Sequence, residues 1–402
     1  MLRVAITSNG PGETMGWVRP LARALYRREP QLDLHVFFSP CEYASGHEAE
    51  VIRQQFPSAT AYAPSEYLRF AVSGSLDHVD ALQYLGGDLG HAALLARKFH
   101  APAFGYKFGA RKGRSLFRRI YAVDQKNRQQ LLDAGGAPEQ VVEVGNLAID
   151  GAFDDAQAPT ELVPGGVVIM PGSRREEVAN LVPFFLRAAV EMRRLAPELP
   201  IGFALAPFTT REALDAALAT GGDPLIYGAQ GRLRESDAGT EIEEQRTGQR
   251  FPVTRRGAAA MAKARLVLTI PGTKTIEAAA LGAPYLALIP LNMPEKVVVN
   301  GPLTYLDRLP LVGVPLKRAL ISNFSRRFPL ISQPNIDLGE MAAPEMRGTL
   351  MPAHVAHVTL DLLRDEARLD TMRQRFSTLY AHHRGAADRM AEALLGELRA
   401  AV

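Results

Sequence analysis

The sequence predicts an α/β protein made of two similar parallel-sheet layers, and three observations carry that prediction. Short apolar runs alternate with stretches of helical spacing in both halves of the chain. Several runs pass directly into Gly/Pro-containing turns. The interval from Asp154-Asp155-Ala156-Gln157-Ala158-Pro159 to Val163-Pro164-Gly165-Gly166 breaks both periodicities and separates the halves. A chain of 402 residues has room for two or three domains of about 150 residues, each with a sizeable core.

The elements follow in order. Val4–Thr7 reads as a strand, Trp17–Arg27 as an amphipathic helix and Leu34–Phe38 as a second strand, a βαβ unit. Ala81–Leu85 leads through Gly86-Gly87-Asp88 into the helical Ala92–Phe99. Pro102–Tyr106 is extended, Gln125–Ala134 helical and Val141–Val144 a strand. Beyond the linker, strand Val167–Met170, helix Val178–Leu195 and strand Ile201–Leu205 restart the pattern. The polar interval Gln230 to Arg250 reads as a surface excursion or hairpin tip, and His354 to Val402 as two or more helices. The expected organisation is a first domain over 1–160, a second over 161–350, and helices over 351–402 able to cross back to the first.

Composition narrows the function. Hydrophobic residues at 47% and charged residues at 22% exclude a disordered or fibrous chain. Forty-six basic against 43 acidic side chains leave +3, too little for a surface built to wrap nucleic acid. Cys41 is the only cysteine, which excludes an intramolecular disulfide and a cysteine-built zinc site and suits a reducing cytoplasm. The start, Met1-Leu2-Arg3-Val4-Ala5-Ile6, reads as a strand and not as a signal peptide. No apolar run approaches the roughly 20 residues of a membrane span. Lys107 to Arg119 carries six cations interleaved with Phe108, Leu116 and Phe117 and no acid, a pattern of either an anionic membrane contact or a solvated face.

Three turns carry candidate chemistry. In Ser8-Asn9-Gly10-Pro11-Gly12-Glu13, at the carboxyl end of the first strand, Gly10 and Gly12 allow close approach of a ligand and Glu13 stands near a helix N-terminus. Glu13 is either a substrate contact or a first-turn dipole residue. In Pro171-Gly172-Ser173-Arg174-Arg175-Glu176-Glu177, Ser173 and Glu176 make a capping box, yet two arginines near a helix N-terminus point to an anion such as a nucleotide diphosphate. In Pro271-Gly272-Thr273-Lys274-Thr275-Ile276-Glu277 a helix opens with free amides and hydroxyls, a second phosphate-binding turn. Glu277 there is placed either to meet ribose hydroxyls or to be an exposed first-turn carboxylate.

Pro-Gly-Ser-Arg-x-x-Glu-Val, then Pro-Gly-Thr-x-Thr-x-Glu, then Ser332-Gln333-Pro334-Asn335-Ile336 and Pro344-Glu345-Met346 resemble the lipid-A-disaccharide synthase family. Val144-Gly145-Asn146-Leu147-Ala148-Ile149-Asp150 is similar to a family segment at the end of its first domain. The resemblance implies an inverting GT-B glycosyltransferase, two Rossmann-like domains facing a cleft, that uses a UDP-sugar donor and no metal or other cofactor. By motif, Ser173, Arg174, Gly272, Thr273, Lys274, Glu277 and Asn335 would lie on the UDP side, with Glu345 as a further candidate. Asp88, which falls where the family has an aspartate, would be the base, with Glu13 second and His91 third. The implied partners are a UDP-sugar, a lipid or glycolipid acceptor and a second subunit; the implied location is the cytoplasmic face of a membrane. A nonhydrolysing UDP-sugar epimerase and a non-catalytic nucleotide-sugar-binding protein are the alternatives.

Two departures fall on the acceptor side. The family's Gly-Glu-x-Ser-Gly-Asp is here Gly12-Glu13-Thr14-Met15-Gly16 without the aspartate, and its Ser-Pro-x-Val-Trp-Ala-Trp is here Tyr106-Lys107-Phe108-Gly109-Ala110-Arg111.

Overall fold

The computed structural model describes all residues except 42–43, 108, 110–112, 237–238, 295–315, 318, 321–322, 324–326 and 401–402. The chain forms two units, Met1–Asp154 with Tyr380–Val402, and Asp155–Leu379.

Unit 1 holds a seven-stranded, all-parallel sheet of order β3-β2-β1-β4-β5-β6-β7. The strands are β1 (Arg3–Ser8), β2 (Asp33–Phe38), β3 (Thr60–Tyr62), β4 (Ala81–Tyr84), β5 (Ala103–Tyr106), β6 (Phe117–Ala122) and β7 (Val141–Glu143). Helices cover both faces, so the inner strands read as continuous apolar runs. Val4, Ile6, Leu34 and Phe104 belong to the core under one face, and Ala5, Phe37, Leu82 and Ile120 to the core under the other. The helix Ala386–Arg399 completes the first of these with Met390, Leu394 and Leu398.

Unit 2 holds an eight-stranded sheet of order β10-β11-β12-β9-β8-β13-β14-β15. Its strands are β8 (Val167–Met170), β9 (Ile201–Ala204), β10 (Gly231–Ser236), β11 (Gly239–Glu244), β12 (Arg250–Thr254), β13 (Leu266–Thr269), β14 (Tyr285–Pro290) and β15 (Glu345–Gly348). The polar interval forms the hairpin β10–β11, which extends the sheet through antiparallel pairing with β12. Of the C-terminal helices, Pro352–Arg364 and Glu366–Leu379 lie in unit 2, and only the last returns to unit 1. Among the described residues no helix is long and apolar enough to cross a membrane.

Each sheet has one point where the chain leaves two neighbouring parallel strands in opposite directions. In unit 1 it lies between β1, which leads on to β2, and β4, which leads on to β5. In unit 2 it lies between β8, which leads on to β9, and β13, which leads on to β14. Ligands of doubly wound sheets bind outside the carboxyl ends of the strands at this switch point.

Candidate functional site

At the unit 1 switch point the turns after β1 and β4 meet. Beyond Ser8 a helical run opens at Pro11–Glu13, passes through a π-helical segment Thr14–Val18 and continues as Arg19–Arg28. Gly10 precedes the first turn, and Pro11 at its start suits a position whose amide has no helical partner. A π-helical segment is rare and recurs at functional sites. Gly86 adopts φ 109° and Gly87 φ 90°, which bring the β4 turn against the β1 turn. A side chain starting at Gly86 would stand 3.0 Å from Cγ of Glu13, 3.2 Å from Oδ1 of Asn9 and 3.4 Å from Cζ3 of Trp17.

The two candidate carboxylates are brought together here with different surroundings. Asp88 caps the helix Leu89–Phe99, its Oδ1 accepting from the Gly90 amide at 2.6 Å. Glu13 has no hydrogen-bond or ion-pair partner among the described residues. Both charges bear on Tyr84, whose phenol is pushed up first by burial and then by Asp88 and Glu13. His91 Nδ1 lies 2.7 Å from the Tyr67 hydroxyl.

In unit 2, β8 and β13 are adjacent and in register, Met170 beside Thr269, so the two phosphate-type turns stand side by side. Their sequences align, Pro171-Gly172-Ser173-Arg174 through Glu177 with Pro271-Gly272-Thr273-Lys274 through Glu277. Each pairs a cation with a carboxylate three residues on, Arg174 with Glu177 at 3.4 Å and Lys274 with Glu277 at 2.6 Å.

The expected capping box at Ser173 and Glu176 is shifted by one residue. The helix starts at Arg175 with Arg174 as its cap, so Glu177 is the third helical residue and its Oε2 accepts from the amides of Ser173 and Arg174 at 2.8 and 3.0 Å. This explains Gly172, at φ 103°: a side chain there would meet Cβ of Glu177 at 2.9 Å. After β13 the helix starts two aligned positions earlier, at Thr273 with Gly272 as cap. Glu277 is then the fifth helical residue and turns to Lys274, and among the described residues no side chain caps the amides at the helix start. A side chain added at Gly272 would meet no described atom within 4 Å. Glu277 is buried, with its side chain 8% exposed, in contrast to an exposed first-turn carboxylate.

Asn335 and Glu345 knit the far side of the same sheet. Asn335 is fully buried, its Nδ2 donating to the Ala343 carbonyl and to Glu345 and its Oδ1 accepting from the Ala343 amide. Glu345 accepts from the Ile331 and Ser332 amides and the Ser332 hydroxyl, and pairs with Arg347 at 2.8 Å. Burial alone would raise its pKa, yet these hydrogen bonds outweigh burial and hold it below the usual carboxylate value. Every polar atom of the Asn335 side chain is thus used within the fold.

Asp150, at the end of the similar segment in unit 1, has a role the sequence did not indicate. Its two oxygens accept from the Gly385 and Ala387 amides, both at 2.6 Å, and cap the helix Ala386–Arg399. Burial nevertheless pushes its pKa up. The basic segment is also partly structural. Phe117 is buried in β6, Arg118 and Arg119 both pair with Glu397 at 2.9 and 2.7 Å, and Arg119 donates to the Glu139 carbonyl. Phe108, Ala110, Arg111 and Lys112 lie outside the described residues.

These features define a class: a GT-B protein of two Rossmann-like units, each with candidate ligand-binding turns at its switch point. Solved structures share the fold. A UDP co-structure of MnaA from S. aureus matches with a TM-score of 0.59 at 13% identity, covering 99% of this chain and 97% of that one. A putative UDP-N-acetylglucosamine 2-epimerase from Listeria monocytogenes matches at 0.58 and 15%, covering 98% and 96%. No family model matches the chain.

Among curated proteins, the chain is 28% identical to the lipid-A-disaccharide synthase of Nitrosococcus oceani over 209 residues, 52% of this chain and 42% of that protein. It is also 28% identical to that of Alkalilimnicola ehrlichii over 244 residues, 60% and 50% of the two chains. The matched region thus spans half or less of these relatives. The resemblance drawn from the motifs is borne out by these two matches: over about half its length the chain is similar to lipid-A-disaccharide synthases.

Proposed function

We propose that this protein is an inverting, metal-independent glycosyltransferase that moves a sugar from a UDP-sugar to a lipid or glycolipid acceptor. The observation that carries the reading is the pair of adjacent turns after β8 and β13, one closed by its own carboxylate and one open, at the switch point of unit 2. The diphosphate would lie on the open amides of the β13 turn, with Arg174 and Lys274 supplying charge from either side. Glu277 would meet the ribose. The acceptor would bind at the switch point of unit 1.

Glu13 is the proposed base in place of Asp88, because Asp88 already caps a helix while the Glu13 carboxylate has no partner among the described residues. Glu13 takes the proton of the acceptor hydroxyl as its oxygen forms the new bond to the anomeric carbon. The bond to the diphosphate breaks in the same displacement, which inverts the carbon. The charge left on UDP is met by the helix amides and the two cations.

Thermal stabilisation by a panel of uridine nucleotides and UDP-sugars, with and without magnesium, tests the donor. Saturation at about 100 times the dissociation constant adds about 2.7 kcal/mol. A selective, metal-independent response to one UDP-sugar is expected, and no response to any uridine nucleotide contradicts the reading. Product analysis with lipid acceptors then separates transfer from epimerisation, which changes the sugar without an acceptor.

A further inference from the structure

The two places where the sequence leaves the pattern of the family it resembles touch each other in the structure. Trp17 stands where that pattern has the aspartate of Gly-Glu-x-Ser-Gly-Asp, and Tyr106 and Lys107 open the segment that replaces its tryptophan-rich run. The Trp17 and Tyr106 rings meet edge-to-face at 5.6 Å, and the Lys107 ammonium lies 5.5 Å over the Trp17 ring. An acid has become an aromatic, and beside it an aromatic run has given way to a segment with a lysine.

The contact is fixed from several sides. The Tyr106 hydroxyl donates to the Gly145 carbonyl and accepts from the Leu147 amide, which locks its ring. Lys107 is held in the left-handed region at φ 50°, uncommon for a lysine. Trp17 itself is half-buried on the π-helical segment, and its Cζ3 and the Cγ of Glu13 would both touch a side chain starting at Gly86, at 3.4 and 3.0 Å.

We propose that Trp17 is a specificity-determining residue of the unit 1 site, the platform on which a cyclic, sugar-like acceptor lays its apolar C–H face while a ring hydroxyl reaches Glu13. The surrounding groups favour a ring over an acyl chain. An indole gives a flat apolar face of limited length, and beside its Cζ3 at Gly86 lie Glu13 and the Asn9 Oδ1 atom, which is buried and has no hydrogen-bond partner among the described residues. A hydrocarbon chain would leave those groups desolvated without partners. This inference rests on the glycosyltransferase reading for the role of Glu13.

Trp17 is the only tryptophan of the chain, so its fluorescence reports on this site alone. The full-length protein is titrated with methyl and octyl β-D-glucopyranoside, the latter below its micelle concentration, and UDP binding is followed separately by calorimetry. A saturable fluorescence change with both glycosides is expected. By calorimetry, glycoside affinity should fall about 10-fold in Trp17→Ala and in Trp17→Asp and by less than about 3-fold in Trp17→Phe, with UDP affinity unchanged throughout. No fluorescence change with either glycoside, a response to the octyl but not the methyl glycoside, or full glycoside affinity in Trp17→Ala overturns the proposal. Absence of UDP binding to the wild-type protein overturns the glycosyltransferase reading instead, while saturable glycoside binding lost in Trp17→Ala would still support the platform.

Discussion

The turns after β8 and β13 begin from nearly the same sequence and end with different chemistry. In both, a Pro-Gly pair leads into a hydroxyl residue, a cation and, three positions on, a glutamate. In the first the helix begins at Arg175, so Glu177 is close enough to cap the amides of Ser173 and Arg174. In the second it begins at Thr273, so Glu277 is a further half-turn in and pairs with Lys274 instead. A two-residue shift in where a helix starts decides whether its N-terminus is filled by its own side chain or left open to an anion. Motif spelling alone does not separate these outcomes.

Arg174→Ala removes a cation that the account places against the diphosphate. At about 1.5–3 kcal/mol for a hydrogen bond to a charged group, UDP affinity should fall on the order of 10- to 100-fold by calorimetry, with little change in stability. Gly172→Ala and Gly272→Ala should separate the turns. At Gly172 the added carbon collides with Glu177 and expels the cap at a cost of about 2 kcal/mol in denaturant unfolding. At Gly272 it meets no described atom within 4 Å, so the loss should appear mainly in UDP affinity, with about 1 kcal/mol of backbone strain. Glu177→Ala should cost about 1 kcal/mol of stability.

The smallest effect concerns acid stability. Because the folded pKa of Glu345 lies below its unfolded value, its contribution is fully present above the unfolded pKa, near 4.5, and is lost as the pH falls through the folded one. Glu345→Gln should therefore lower stability at neutral pH and flatten the acid limb of the stability profile. An unchanged acid limb would show that its hydrogen bonds do not favour the ionised form.

The sequence made the framework legible where strands are buried on both faces. Val4–Thr7 and Val167–Met170 stand out because burial on both faces demands continuous apolar runs. The turns that follow them were legible for the same reason. Short or disguised elements were not. β3 spans only Thr60–Tyr62 at the sheet edge, and β6 hides under Arg118 and Arg119, whose common partner Glu397 lies 278 residues from Arg119. The capping role of Asp150 could not be read because the amides that it binds belong to a helix start 235 residues away from it. The alignment of the two unit 2 turns was present in the sequence, but the difference in helix start that separates their roles is a property of the fold.

Amide hydrogen exchange with and without UDP reads the two unit 2 turns separately. New protection is expected over Gly272 to Lys274, with little change at the already capped Ser173 and Arg174 amides and none at the turn carrying Glu13. Protection at Ser173 and Arg174 with none at Gly272 to Lys274 would contradict binding at the open turn.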